Sequence, residues 1–229
     1  HDAMVPFYYS VARVAQSGGP LRMIAPIGDE ASWPGDYRYV LGNAFLVAPV
    51  MDDTGSRQVP IPSDATYYDF FDPAADAIPA GTVLTPDTSD PRRIPIYVRE
   101  GAIVPLDVVD DSNQLGNTAS AGYVTVLMYP AAVPSSFAWF AEQGEITLTT
   151  SRTASSITVG ASSLPQPAIF RVRADVAPTG VMTGGPFTSH ATRAAFDQAT
   201  SGYFYEASSR SVWLKLPAIE EPVNVIIGF

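Results

Sequence analysis

The stretch Tyr97–Pro105, Y-V-R-E-G-A-I-V-P, sets a polar-polar-glycine break between two apolar runs of strand length, Ile94–Val98 and Ala102–Pro105. Gly101 supplies the conformational freedom that a tight reversal needs. Working upstream, Tyr67–Phe71 (Y-Y-D-F-F) and Leu41–Val50 (L-G-N-A-F-L-V-A-P-V) have the same character. Strands are expected over Phe45–Val50, Arg57–Ile61 and Thr66–Phe71, punctuated by Pro62, Asp64 and Pro73.

The opening of the chain differs. Pro6 suits a first helical turn, and Phe7, Tyr8, Val11, Ala12 and Ala15 fall on one helical face until Gly18-Gly19-Pro20 stops it. Leu21–Ala25 reads as a short buried strand. Asp29–Asp36 is a loop around Trp33-Pro34-Gly35, and Tyr37–Gly42 an irregular or helical turn. Downstream, Asp107–Gly122 lacks periodicity and reads as a linker or long loop. A second strand series follows at Tyr123–Tyr129, Ser136–Phe140, Glu145–Thr150, Ser156–Gly160, Ala168–Arg173, Gly180–Thr183, Gly202–Ala207, Ser211–Leu216 and Val223–Ile227. Short strands at this spacing, joined by turn residues, predict a β-sandwich.

Composition narrows the function. The chain has 229 residues, 46% hydrophobic and 16% charged, enough for one large or two small folded domains. A net charge of −10 argues against nucleic acid, which demands a basic stripe. No apolar run reaches the roughly 18 residues of a membrane helix. With no cysteine there is no disulfide, no thiolate nucleophile and no Cys-ligated zinc. The 12 arginines against a single lysine, Lys215, read as a lineage bias. The chain begins at His1, as if cut from something longer, and shows no signal-peptide pattern.

In order and spacing, these segments resemble the C-terminal part of the family 31 glycoside hydrolases, the α-glucosidase and α-xylosidase family. Val5-Pro6-Phe7-Tyr8-Tyr9 is similar to the Leu-Pro-Tyr-Leu-Tyr of that family's last barrel helix. Gly18–Arg22 resembles its Gly-x-Pro-x-x-Arg-Pro segment, with Met23 in place of the final proline. Leu41–Val50, Tyr67–Phe71 and Pro95–Pro105 follow the next three family segments. Phe140–Glu145 is a weaker match to a distal Tyr-Glu-Asp-Asp-Gly turn and lacks its paired Asp.

The resemblance implies a mainly β chain: the last helix and strand of a (β/α)8 barrel in 1–44, a proximal β-sandwich in 45–121 and a distal β-sandwich in 122–229. It implies a retaining α-glycosidase whose two catalytic Asp, held about 5–5.5 Å apart, lie in segments absent from this sequence. No catalytic residue, metal or cofactor is expected here. The implied partner is the N-terminal catalytic chain or segment of the same enzyme, held non-covalently, which binds most of the carbohydrate. A family-31-like transglycosylase, or a free carbohydrate-binding or adhesion module, are the alternatives. A secreted or periplasmic location is the expectation, with the cytoplasm left open.

Individual residues have plainer readings. Arg99 is a sugar or carboxylate clamp, or a structural ion pair in a framework with Gly101 and Pro105. Asp52-Asp53 and Asp110-Asp111 are paired acids, but neighbours on an extended chain diverge, which favours polar loop. Glu142 and Glu145 flank Gly144 and could bind a cation. His1 and His190 are the only histidines; no G-x-S-x-G accompanies them, and His190 reads as a solvated loop residue. Among the aromatics, Trp33 stands out as a substrate-rim candidate, because loops after barrel strands form the active-site rim.

Overall fold

The computed structural model describes residues 2–51, 57–90, 93–112 and 114–229. His1 and the Asp52-Asp53 pair lie outside the described residues. The chain is mainly β, with three five-stranded sheets, one two-stranded sheet and few helices among the described residues.

Helix α1 spans Val5–Gln16, with Pro6 in its first turn. Its buried face is Phe7, Ser10 and Val11. Ala12, expected on that face, is exposed. Phe7 stacks on Phe137 at 5.6 Å and meets Phe45 edge-on at 5.7 Å. The helix thus packs on this chain's own sheets. This face is covered from within the chain, while Val5 and Tyr9 opposite remain exposed.

Strand β1, Ile24–Pro26, is an edge strand with Ile24 exposed. The predicted buried strand over 21–25 therefore begins later and lies at a surface. It pairs antiparallel with β2 (Tyr39–Leu41), a strand where a turn was expected. Leu41–Ala44 is the turn itself, closed by Ala44 N–H to Leu41 O at 3.0 Å. Its central Gly42 and Asn43 have φ of 56° and 59°, the condition of a type I′ hairpin turn. A Cβ on Gly42 would lie 2.5 Å from Phe7 Cζ, so α1 sits directly on this turn. β3 (Phe45–Val47), β5 (Tyr67–Asp69) and β7 (Ile96–Arg99) complete an antiparallel sheet in the order β1-β2-β3-β7-β5. β4 (Val59–Pro60) and β6 (Val83–Leu84) form the small fourth sheet.

The second series comes close to its predicted bounds. β8 is Ile103–Asp107, β9 Val124–Met128, β10 Ser135–Ala141, β11 Gly144–Arg152 and β12 Ser156–Ala161. β13 is Ala168–Arg173, β14 Gly180–Met182, β15 Gly202–Glu206, β16 Ser211–Leu216 and β17 Val223–Gly228. They build two sheets, β10-β11-β12-β17-β14 and β15-β16-β13-β9-β8. Among the strand pairs of the described residues, β13–β9 alone is parallel. Phe170, Val172 and Leu214 from one sheet share a core with Leu148, Val159, Val225 and Ile227 from the other. That core is continuous with Phe7, Phe45, Tyr68 and Val98.

Residues 107–122 are not a loose linker. Val108, Leu115 and Ser120 are buried, and Asn117 caps a 3-10 turn at Thr118–Ser120. A six-residue helix, α2 (Arg193–Gln198), was not foreseen. It covers the outer face of β13, β16 and β15, where Phe196 packs with Ile169 and Trp213.

Candidate functional site

The Arg99–Pro105 segment is the joint between the first sheet and the sandwich. β7 ends at Arg99, whose backbone N–H donates to Ala44 O at 2.8 Å. Gly101 turns the chain with φ of 88°, and its N–H donates to Tyr129 O at 2.6 Å. A Cβ there would lie 2.7 Å from Ser135 Oγ. Pro105 is buried in β8 opposite Val126; β8 is a sheet edge, where a residue without an N–H is tolerated.

The two charges diverge. Arg99 Nη2 donates to Asp64 Oδ2 at 3.2 Å within the first unit. Glu100 Oε1 accepts from Arg152 Nη2 at 2.6 Å, which ties the segment to β11. Arg173 adds another tie. Its guanidinium donates to the carbonyls of Pro73 and Ala75 and lies 4.9 Å from the Tyr68 ring.

Arg99 also lines a cleft of about 370 Å³ with Ile27, Asn43, Asp64 and Tyr67. Its Nε is buried there without a hydrogen-bond partner among the described residues. Burial, with the Asp64 charge adding to it, pushes the Tyr67 phenol up to about 12. Burial likewise pushes Tyr97 to about 12. Both phenols are therefore neutral hydrogen-bonding groups at ordinary pH, not acids or bases.

Trp33 follows a 3-10 turn at Glu30–Ser32, and its carbonyl accepts from Asp36 N–H at 3.0 Å. It is 41% exposed and lines none of the cavities described here. The structure does not bring it together with Arg99. Asp110 caps Ser112 through Oδ1, while Asp111 faces a different cavity. Glu142 sits at the tip of the β10–β11 hairpin. No group of three or more His, Asp or Glu that could hold a metal occurs among the described residues. His190 is half-buried: its Nε2 lies 3.0 Å from Ser201 O and its ring 6.2 Å from that of Phe196.

A polar cavity of about 400 Å³ on the outer face of β13 and β16 escaped the sequence reading. Arg171, Arg193, Glu206 and Trp213 form its walls. The one available signal was the alternation that sets Arg171 and Arg173 on the same face of β13. No helix is long and apolar enough to cross a membrane, among the described residues.

Comparison with known proteins gives a consistent picture. An isomaltosyltransferase of Sporosarcina globispora is 22% identical over 239 residues, covering 98% of this chain and 21% of that protein. The cycloalternan-forming enzyme from Listeria monocytogenes, solved with a pentasaccharide substrate, superposes with a TM-score of 0.86 at 20% identity, over 99% of this chain and 22% of that one. A family 31 dextranase of Flavobacterium johnsoniae superposes with a TM-score of 0.77 at 17% identity, over 100% of this chain and 31% of that one. The chain thus spans between a fifth and a third of these relatives' lengths. Residues 19–104 match the family model described as the glycosyl hydrolase family 31 C-terminal domain. The ordered segments and the fold agree with this match, and over residues 19–104 the chain is similar to the C-terminal domain of glycosyl hydrolase family 31.

Proposed function

We propose that this chain is the non-catalytic C-terminal portion of a retaining α-glycosidase and that it buttresses the enzyme's catalytic barrel. In this reading residues 1–44 contribute the barrel's last helix and strand, 45–121 the proximal sandwich together with β8, which pairs with β9 of the next unit, and 122–229 the distal sandwich. The catalytic carboxylates, and most contacts to the sugar, belong to the part of the enzyme outside these residues. Arg99, Gly101 and Pro105 act as framework, and Trp33 is the residue of this chain offered to the substrate rim. A secreted or periplasmic enzyme is part of the same proposal.

The observation that carries the reading is the surface left uncovered. Val5, Tyr9, Ile24, Trp33 and Tyr37 are all more than two-fifths exposed. Val5 and Tyr9 share one cavity lining with Pro6 and Leu106, and contiguous exposed apolar surface of this kind marks a contact site. A catalytic segment seated there would make an obligate interface above about 2,000 Å². Lacking cysteine, this chain would hold such a separate partner without a disulfide.

The test is activity on aryl α-glycosides. The 229-residue chain alone should be inactive, and the enzyme that includes its catalytic part active. Turnover by the isolated chain overturns the reading. Transglycosylation is a second reading, favoured by the similarity to an isomaltosyltransferase and a cycloalternan-forming enzyme. The two differ only in whether water or a sugar hydroxyl takes the glycosyl group. Product analysis of the complete enzyme separates them.

A further inference from the structure

The polar cavity on the outer face of the β15-β16-β13 sheet is built around two cations held against one indole. Arg171 and Trp213 are directly opposite one another across the β13–β16 pair. The guanidinium carbon of Arg171 lies 4.9 Å from the Trp213 ring and that of Arg193, from α2, lies 4.3 Å away. Such contacts fix the planar groups without consuming their N–H donors.

Each arginine is also positioned from behind. Arg171 Nη1 donates to Gln114 O at 2.7 Å and Nε to Ser211 Oγ at 3.3 Å. Arg193 Nε donates to Asp197 Oδ1 at 2.7 Å, and the other oxygen of Asp197 accepts from Asn117 Nδ2 at 2.8 Å. Arg171 Nη2 and both Nη groups of Arg193 donate to no acceptor among the described residues. Arg171 is only 4% exposed, and its Nη2 opens to the cavity, where a ligand oxygen can take the place of water.

Acceptors share the lining with the donors. Asp72, Asp111 and Glu206 line the same cavity. Glu206 Oε2 is fixed by Ser209 Oγ and by Trp213 Nε1–H at 3.2 Å. Asp111 is exposed. Two guanidiniums against three carboxylates leave the lining one charge negative, which disfavours an anion. The two guanidiniums disfavour a metal cation. What satisfies fixed donors and fixed acceptors together is a neutral group that is both, and hydroxyl is that group.

We propose that this cavity binds a neutral saccharide, about one hexose unit of an α-glucan, through its vicinal hydroxyls. The preference for hydroxyls follows from the lining; the choice of an α-glucan among polyhydroxy ligands rests on the glycosidase reading above. Trp213 is almost fully buried and serves as the wall that holds the arginines, not as a stacking platform.

The test is calorimetric and ligand-observed NMR titration of the 229-residue chain with isomaltotriose and maltotriose, with inorganic phosphate as the anion arm. Saturable binding of a trisaccharide with Kd on the order of 1 mM is expected. Arg193→Ala should weaken it by about 10- to 100-fold, the effect of losing a charged hydrogen bond. Because Arg193 also anchors α2, Asp111→Ala is the second variant: its side chain holds no other element, and it should weaken binding while leaving the melting temperature unchanged. Glu142→Gln, at the distant hairpin tip, should bind like the parent. Failure of both trisaccharides to bind overturns the proposal. So does phosphate binding more tightly than sugar, or unchanged affinity in both cavity variants. A chain that binds the trisaccharide in this way, but whose complete enzyme lacks glycosidase and transferase activity, would keep this inference and overturn the functional reading instead.

Discussion

Ser10 Oγ accepts a hydrogen bond from the backbone N–H of Phe140 at 3.0 Å, across 130 positions of sequence. The same hydroxyl donates to Pro6 O at 2.7 Å, one turn back in α1. β10 is the end strand of its sheet, so its outward N–H groups have no neighbouring strand. The helix covers that edge and Ser10 satisfies one of its donors, which protects the sheet from further pairing. Ser10→Ala leaves the half-buried Phe140 N–H without this partner. The expected loss is about 1–3 kcal/mol, seen as a melting temperature lower by about 2–10 °C in a chain of this size. A melting temperature equal to the parent's would mean that water replaces the hydroxyl and that the edge is not sealed.

How much of this was legible in sequence depends on where each signal lives. The strands from β9 to β17 carry their signal locally: alternating apolar residues between turn residues, as in Ala168–Arg173. β2 was misread because Tyr39–Leu41 is only three residues long and runs into Gly42-Asn43, whose hairpin geometry appears only once both φ angles are known to be positive. A serine on a helix reads as solvent-facing, so Ser10 gave no hint of an edge strand 130 positions away. The outer-face cavity was hidden for the same reason. Its walls come from residues 72, 111, 171, 193, 206 and 213, far apart in sequence and brought together by the fold. Arg99 and Glu100 are adjacent in sequence, yet they face different partners, Asp64 and Arg152.

Gly101 combines two constraints that can be separated. Its φ of 88° strains any side chain, and a Cβ would crowd Ser135 Oγ at 2.7 Å. Gly122 has a similar φ of 84° but open space around it. Gly101→Val should destabilise the chain by about 1–3 kcal/mol. In the alanine series, Gly101→Ala should cost more than Gly122→Ala, and adding Ser135→Ala to Gly101→Ala should recover the difference. Equal losses at the two glycines, measured by denaturant unfolding, would show that the contact with Ser135 is not a constraint.

The Glu100–Arg152 pair joins Arg99–Pro105 to β11, but Arg152 is 40% exposed and its charge is screened by solvent. A double-mutant cycle with Glu100→Gln and Arg152→Gln should therefore give a coupling of only about 0.2–1 kcal/mol, shrinking with added salt. The joint itself should survive, because backbone bonds from Glu100 N–H to Thr66 O and Gly101 N–H to Tyr129 O hold it. Coupling well above that range, insensitive to salt, would mark the pair as a desolvated lock.

Alkaline pH should reveal the small core that Tyr67 and Tyr97 share with Leu46, Val59 and Ile61. Burial pushes both phenols from 10.0 to about 12, and Tyr8, Tyr68 and Tyr129 shift in the same direction. Below pH 10 the phenols are neutral in both the folded and the unfolded chain, so stability does not depend on them. Between pH 10 and pH 12 the unfolded chain loses these protons while the folded chain keeps them. The folded state then binds more protons, and unfolding free energy falls as pH rises. Denaturant midpoints measured across that window should decline steadily, and phenolate absorbance of the folded chain should lag behind that of the unfolded one. Tyr97→Phe keeps the ring in its apolar site and removes one titrating group, so its decline should be shallower than the parent's. A parent midpoint that stays flat from pH 10 to pH 12, or a Tyr97→Phe slope identical to it, would mean that these phenols ionise in the folded chain as they do in water.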